Sequence, residues 1–122
     1  MPDILLIEDD LSLQQSLLNF FDECGFTTTA AGTRQQALQI MQLIQPRVCV
    51  LDLNLPDGSG LDILQDIVDR KLPTRVVVLT AFGPPHLRAR FSPQTLVEWL
   101  TKPAAPEQLL DAVQQGLSQV PS

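Results

Sequence analysis

The organisation of this chain is set by one stretch, VCVLDLNLPDGSG, which covers residues 48–60. Its first four residues are all apolar, as in a strand that is covered on both faces, and a proline and two glycines come soon after Asp52. These features predict a buried strand that ends at Asp52. In an open α/β sheet, ligands bind at the carboxyl ends of the strands, where the loops that leave the sheet open a crevice. The stretch therefore predicts a carboxylate at a ligand-binding edge.

A second group of carboxylates follows the first apolar run. Residues 4–7 are ILLI, and they lead straight into Glu8, Asp9 and Asp10. Carboxylates that converge with Asp52 on one crevice repel one another unless a hard cation lies among them, and Mg²⁺ prefers such oxygen ligands. Taken alone, the acidic run fits equally well a solvated turn that caps the next helix, and we assign Asp10 to that capping role.

Length and composition are typical of one globular domain, which we expect to span residues 1–122, with 119–122 as a frayed end or the start of a linker. The net charge of −6 and the scattered basic residues argue against direct nucleic-acid binding by this segment. We find neither a signal peptide nor an apolar run that could span a membrane. Cys24 and Cys49 lack metal-binding spacing, so we expect reduced thiols and a cytoplasmic location.

Strand-like and helix-like segments alternate along the chain. The predicted strands cover residues 4–7, 26–30, 48–51, 75–79 and 97–101. This alternation predicts an α/β fold with a doubly wound, five-stranded parallel sheet of the flavodoxin-like kind and about five helices on its two faces. Prolines and a glycine interrupt residues 81–96, so we expect the fourth helix to be short or irregular, around residues 87–91.

Two further polar residues follow separate strand-like runs: Thr80 ends the fourth, and Lys102 with Pro103 follows the fifth. Together with the acidic pair and Asp52, they occur in the order and close to the spacing of a known family. The chain resembles a response-regulator receiver domain of two-component signalling, and the resemblance extends from Ile4 to the last helix.

The resemblance implies a metal site. Asp9, Asp52 and the backbone carbonyl of Asn54 would coordinate Mg²⁺ or Mn²⁺, and Glu8 would orient a metal-bound water. It also implies that the chain is not an enzyme with an external substrate, since a receiver domain catalyses only its own phosphorylation and dephosphorylation.

The resemblance also implies a signalling reaction. Asp52 would take a phosphoryl group from a phosphohistidine on a sensor histidine kinase or a histidine phosphotransfer protein, forming an acyl phosphate. Thr80 and Lys102 would then contact the phosphoryl oxygens, with Lys102 aimed inward by a cis peptide bond to Pro103. The accompanying shift would change a surface that an output domain or effector protein reads.

The sequence departs from the family pattern in two places. Trp99 stands where the family carries a Tyr or Phe that turns inward as a switch, and its larger indole needs a hydrogen-bond partner. The proline-rich segment after Thr80 replaces the family's regular fourth helix. Within it, Phe82 lies where side chains of the family screen the phosphoryl group from water.

These departures leave an alternative from another class, a degenerate receiver that acts as a phosphorylation-independent interaction module. The intact set of polar residues argues against it. A metal-dependent phosphohydrolase that uses Asp52 as nucleophile is disfavoured, because it would need an acid two positions later, where the chain has Asn54.

Overall fold

The protein folds as a five-stranded parallel sheet between helices, in a computed structural model that describes residues 3–81 and 85–118. Its elements are β1 (Ile4–Ile7), α1 (Leu11–Glu23), β2 (Thr28–Ala31), α2 (Arg34–Leu43), β3 (Val48–Leu51), β4 (Asn54–Leu55), β5 (Gly58–Ser59), α3 (Leu61–Asp69), β6 (Arg75–Thr80), a 3₁₀ helix (Pro85–Arg90), β7 (Leu96–Thr101) and α4 (Pro106–Ser118). The strand order in the sheet is β2-β1-β3-β6-β7, and every pair is parallel. The predicted flavodoxin-like, doubly wound fold is therefore confirmed.

The central strands are buried on both faces because the sheet lies between two apolar layers. In β1, Leu5 and Ile7 belong to the layer that includes residues of α2 and α3, whereas Ile4 and Leu6 belong to the layer that includes residues of α1 and α4. The same alternation holds in β3, whose four residues are all buried. Continuous apolar runs in the sequence thus correspond to strands with no solvent-facing side.

Side chains cap the N-termini of α1 and α2, and the predicted capping role of Asp10 is confirmed. Asp10 caps α1, since its carboxylate accepts the N–H of Leu13 at 3.2 Å. Thr33 caps α2 by accepting the N–H of Gln36 at 3.0 Å, and the Gln36 side chain in turn accepts the N–H of Gly32.

The structure refines the predicted boundaries. The segment predicted around residues 87–91 is the 3₁₀ helix Pro85–Arg90, so the described part of the chain has four α-helices rather than about five. Two elements were not predicted, the two-residue strands β4 and β5, which pair as a small antiparallel hairpin immediately after Asp52. Gly83 and Pro84, on which the expectation of an irregular fourth helix partly rests, lie outside the described residues. Among the helices described, none has the length and apolar character needed to cross a membrane.

Candidate functional site

The predicted site residues lie at the carboxyl ends of neighbouring strands. Glu8 follows β1 and Asp52 follows β3, and these two strands pair in register. Thr80 is the last residue of β6, beside Thr101 of β7, which places Lys102 next to it. Thr80 also accepts the backbone N–H of Lys102 through its carbonyl, at 2.9 Å. The parallel register therefore brings together polar groups that the sequence separates by up to about ninety positions.

Asp52 is a buried carboxylate, only 4% exposed, with a partner on each oxygen. Its Oδ1 accepts the backbone N–H of Asn54 at 2.9 Å, and its Oδ2 accepts a hydrogen bond from Nζ of Lys102 at 3.0 Å. Its own N–H donates to the carbonyl of Ile7. These contacts satisfy a charge that would otherwise be costly to bury, and they fix the direction of the side chain.

Lys102 is shared between two carboxylates. Besides Asp52, its Nζ forms an ion pair with Oε1 of Glu8, a residue that is 1% exposed. The other carboxylate oxygen of Glu8 accepts the backbone N–H of Asp10 at 3.1 Å. The peptide bond between Lys102 and Pro103 is cis. One ammonium group thus lies between two buried acids.

The contacts of Lys102 with both acids affect the pKa values of Glu8 and Lys102. Burial raises the pKa of the Glu8 carboxyl above its ordinary value, because the hydrogen bonds from Lys102 and the Asp10 backbone compensate it only in part and the Asp52 charge adds to the effect. Partial burial alone would lower the pKa of Lys102, but its hydrogen bonds and charge interactions with both acids outweigh burial and raise it. Lys102 therefore stays protonated, and its single positive charge is shared by the two carboxylates of Glu8 and Asp52.

The third acid completes a group that fits a divalent cation. Glu8, Asp9 and Asp52 each offer a carboxylate oxygen, and these oxygens all lie within 4.8 Å of one another. Asp9 is exposed, whereas the other two are buried, so the group is open to solvent on one side. A set of hard oxygen ligands with more negative than positive charge suits Mg²⁺ or Mn²⁺.

The loop after Asp52 is shaped by close packing against the site. Leu53 and Leu55 are buried, and the N–H of Gly60 donates to the carbonyl of Leu53 at 2.8 Å. A Cβ atom at Gly60 would lie 2.4 Å from the carbonyl oxygen of Asp52, so only glycine fits there. Gly58 has φ +149°, a backbone conformation that residues other than glycine rarely adopt. The glycines that mark this turn in the sequence thus let the hairpin fold back against the strand end.

The side chain of Asn54 also takes part in the site. Its Nδ2 donates to the hydroxyl of Thr80 at 2.9 Å, and Thr80 is itself buried. The resemblance implies a role only for the backbone carbonyl of Asn54, and the contact of its side chain was not predicted because no local pattern joins two residues 26 positions apart.

Trp99 lies apart from these contacts. Trp99 is partly buried and packs against the apolar layer that includes residues of α2 and α3. Its role as a switch stays a prediction. Phe82, proposed to screen the site from water, lies outside the described residues.

A residue that the sequence analysis did not single out connects this loop to a helix. Asp57, at the tip of the β4–β5 hairpin, accepts the backbone N–H groups of Arg34 at 2.7 Å and of Gln35 at 3.0 Å. These two bonds lower the pKa of the Asp57 carboxyl. Since Asp57 and Arg34 are 23 positions apart, no spacing rule could have revealed the contact.

The chain is similar in sequence and in structure to known proteins. The sequence model of the family described as response regulator receiver domain matches residues 4–114. Nodulation protein W of Bradyrhizobium diazoefficiens is 31% identical over 90% of this chain and 48% of that protein. Photosynthetic apparatus regulatory protein RegA of Rhodobacter capsulatus is 30% identical over 90% of this chain and 60% of that protein. Among solved structures, the non-phosphorylated HemR receiver domain of Leptospira biflexa superposes with a TM-score of 0.89 at 28% identity, over 100% of this chain and 98% of that one.

The chain belongs to the response regulator receiver domain family, whose members take part in signal transduction by two-component systems. Receiver domains of this family bind Mg²⁺ in general, and they interact with histidine kinases and output domains. The chain spans about half of the length of the curated relatives it matches, from 48% to 60% in the two above.

Proposed function

We propose that this chain is a phosphorelay switch in which Asp52 accepts a phosphoryl group from a phosphohistidine on a sensor histidine kinase or a histidine phosphotransfer protein. The observation that carries the proposal is the pairing of Asp52 with Lys102 at 3.0 Å, beside the acids Glu8 and Asp9. An acceptor carboxylate, a cationic side chain and a cation-binding acidic pair at one strand edge are the parts that phosphoryl transfer to a carboxylate requires.

In the proposed reaction, a carboxylate oxygen of Asp52 forms a bond to phosphorus while the bond from phosphorus to the donor imidazole nitrogen breaks. The electron pair of that bond stays on the imidazole, and the product on Asp52 is an acyl phosphate. Lys102 is already within hydrogen-bond distance of the acceptor, so its ammonium can offset the charge that collects on the phosphoryl oxygens without a large rearrangement. The hydrogen bond from Asn54 to Oδ1 fixes the other side of the carboxylate.

A divalent cation, when bound, supplies positive charge that lets an anionic carboxylate approach an anionic phosphoryl group. Asp9, Asp52 and the Asn54 carbonyl would hold it, and Glu8 would orient a water on it. The three carboxylates fit this role by their oxygen chemistry and close spacing. Glu8 also holds Lys102, so it connects the cation-binding side of the site to the phosphoryl-binding side.

The output of the switch would begin at Thr80, whose hydroxyl is hydrogen-bonded to Asn54 in this structure. A phosphoryl group on Asp52 offers that hydroxyl a charged acceptor, and moving Thr80 toward it would alter the packing beside Trp99 on the neighbouring strand. An output domain or effector protein would read the change. A cytoplasmic location is part of the proposal, and it is consistent with the two free thiols Cys24 and Cys49.

The experiment that tests the proposal is incubation with acetyl phosphate and Mg²⁺, followed by intact mass measurement. We expect the mass of one phosphoryl group to be added, and we expect the addition to disappear with a chelator or in Asp52→Asn. Asp111→Asn is the matched control, since Asp111 is an exposed carboxylate of α4 and should not affect labelling. A chain that gains no mass under these conditions would instead be the degenerate, phosphorylation-independent module.

A further inference from the structure

The N-terminus of α2 is tied to the loop that follows Asp52. The first three N–H groups of a helix have no partner within the helix, and here each has a side-chain acceptor. Thr33 accepts the third, from Gln36, in the usual local manner. The first two, from Arg34 and Gln35, are accepted by the two carboxylate oxygens of Asp57, which belongs to a different part of the chain.

A second contact ties the same two segments and α3. The guanidinium of Arg34 reaches across the hairpin to the carboxylate of Asp62 at 2.9 Å, in the first turn of α3. The stem of Arg34 also covers Gly58, since a Cβ atom placed on that glycine would lie 3.0 Å from Cδ of Arg34. The hairpin tip is therefore held by the backbone of α2 on one side and covered by one of its side chains.

This attachment bears on the site because the hairpin carries the groups that hold Asp52. The first residue of β4 is Asn54, whose N–H bonds Oδ1 of Asp52 and whose side chain bonds Thr80. Asn54 pairs with Ser59 across the hairpin. Asn54 is also only three positions before Asp57 along the chain. A hairpin of two residue pairs has little stability of its own, so its position depends on what its ends contact.

We propose that Asp57 is a positioning residue of the cation-binding site: by binding the first two backbone N–H groups of α2, its carboxylate holds the β4–β5 hairpin, and with it Asn54, against Asp52. The proposal rests on the proposed function for the identity of the site. It assigns an effect on cation binding to an exposed acid whose observed contacts are with the N-terminus of α2.

The test compares Asp57→Ala with Thr33→Ala, which also removes a cap of α2 but one whose hydrogen bond is local to that helix. Mg²⁺ affinity is measured by following backbone amide chemical shifts during a Mg²⁺ titration. We expect Asp57→Ala to weaken Mg²⁺ binding by about tenfold, as loss of an outer partner of a metal site does, and Thr33→Ala to change it by less than about twofold. In Asp57→Asn, an amide oxygen remains to cap the helix, so affinity should lie between those of the wild type and Asp57→Ala.

Hydrogen exchange in the metal-free proteins gives a readout that does not depend on Mg²⁺. The Asn54 N–H should exchange faster in Asp57→Ala than in Thr33→Ala, because its bond to Asp52 opens more often when the hairpin is loose. If the two alanine variants change Asn54 exchange and Mg²⁺ affinity equally, Asp57 only caps the helix and the proposal is overturned. A wild type that binds no Mg²⁺ would count against the proposed function, while the exchange comparison would still decide the role of Asp57.

Discussion

Replacement of Lys102 by alanine tests the electrostatic organisation of the site. Lys102 Nζ lies 3.0 Å from Oδ2 of Asp52, and at an effective dielectric constant of about 20 a pair at that separation attracts by roughly 5 kcal/mol. Part of this attraction offsets the desolvation of Lys102, whose side chain is 21% exposed. Removing the ammonium leaves Glu8 and Asp52 buried without a counter-charge, so we expect the free energy of unfolding of the metal-free protein to fall by about 3 kcal/mol.

The assay is urea denaturation with and without Mg²⁺, in the wild type, Lys102→Ala and Lys71→Ala. Lys71 is exposed, so its replacement should change the unfolding free energy by less than about 0.5 kcal/mol. Mg²⁺ should stabilise Lys102→Ala more than the wild type, because the acids then lack any other positive charge. A loss below about 1 kcal/mol, or equal stabilisation of both proteins by Mg²⁺, would refute this account of the site.

Three further predictions concern other parts of the site. Because the pKa of Glu8 is raised in the folded protein, the stability that its protonation contributes is fully present below pH 4.5 and is lost as pH rises through the folded pKa. The free energy of unfolding of Glu8→Gln, measured by urea denaturation, should therefore increase relative to that of the wild type as pH rises above 4.5. A difference between the two proteins that does not change with pH would contradict this. Gly60→Ala should lower the unfolding free energy by about 2–3 kcal/mol in the same assay, since its Cβ would meet the Asp52 carbonyl at 2.4 Å; an unchanged midpoint would show that the loop can move away. Beryllofluoride with Mg²⁺ should change the fluorescence emission of Trp99, and Thr80→Ala should diminish the change; constant emission at saturation would make Trp99 static packing.

The presence of the five strands and the position of Asp52 at a strand end could be predicted, because each depends on a local pattern. Apolar runs with no polar alternation mark strands buried on both faces, and the sheet places their carboxyl ends together whatever lies between them. Glu8, Asp52 and Lys102 were predicted to lie at one edge for this reason, and the structure brings them within hydrogen-bond or ion-pair distance of a common ammonium group.

The contacts of the hairpin could not be predicted in the same way. Asp57 looks in sequence like an ordinary turn residue between Pro56 and Gly58, and its bonds to α2 depend on the packing of two segments that are distant in the chain. The hydrogen bond from Asn54 to Thr80 likewise depends on where two loops meet. The irregular fourth helix was predictable in kind, because proline interrupts helices, but not its 3₁₀ geometry between Pro85 and Arg90.

The central claim, that Asp52 is the phosphoacceptor, is tested most directly by locating the modified residue. After incubation with a phosphodonor and Mg²⁺, borohydride reduction converts an acyl phosphate on aspartate to homoserine, and tryptic cleavage releases the peptide of residues 48–70, which holds Asp52 and four other aspartates. Tandem mass spectrometry of that peptide should place homoserine at Asp52 alone, and Asp52→Asn should show none. Homoserine at Asp57 or at another aspartate, or in the Asp52→Asn protein at the wild-type level, would contradict the assignment.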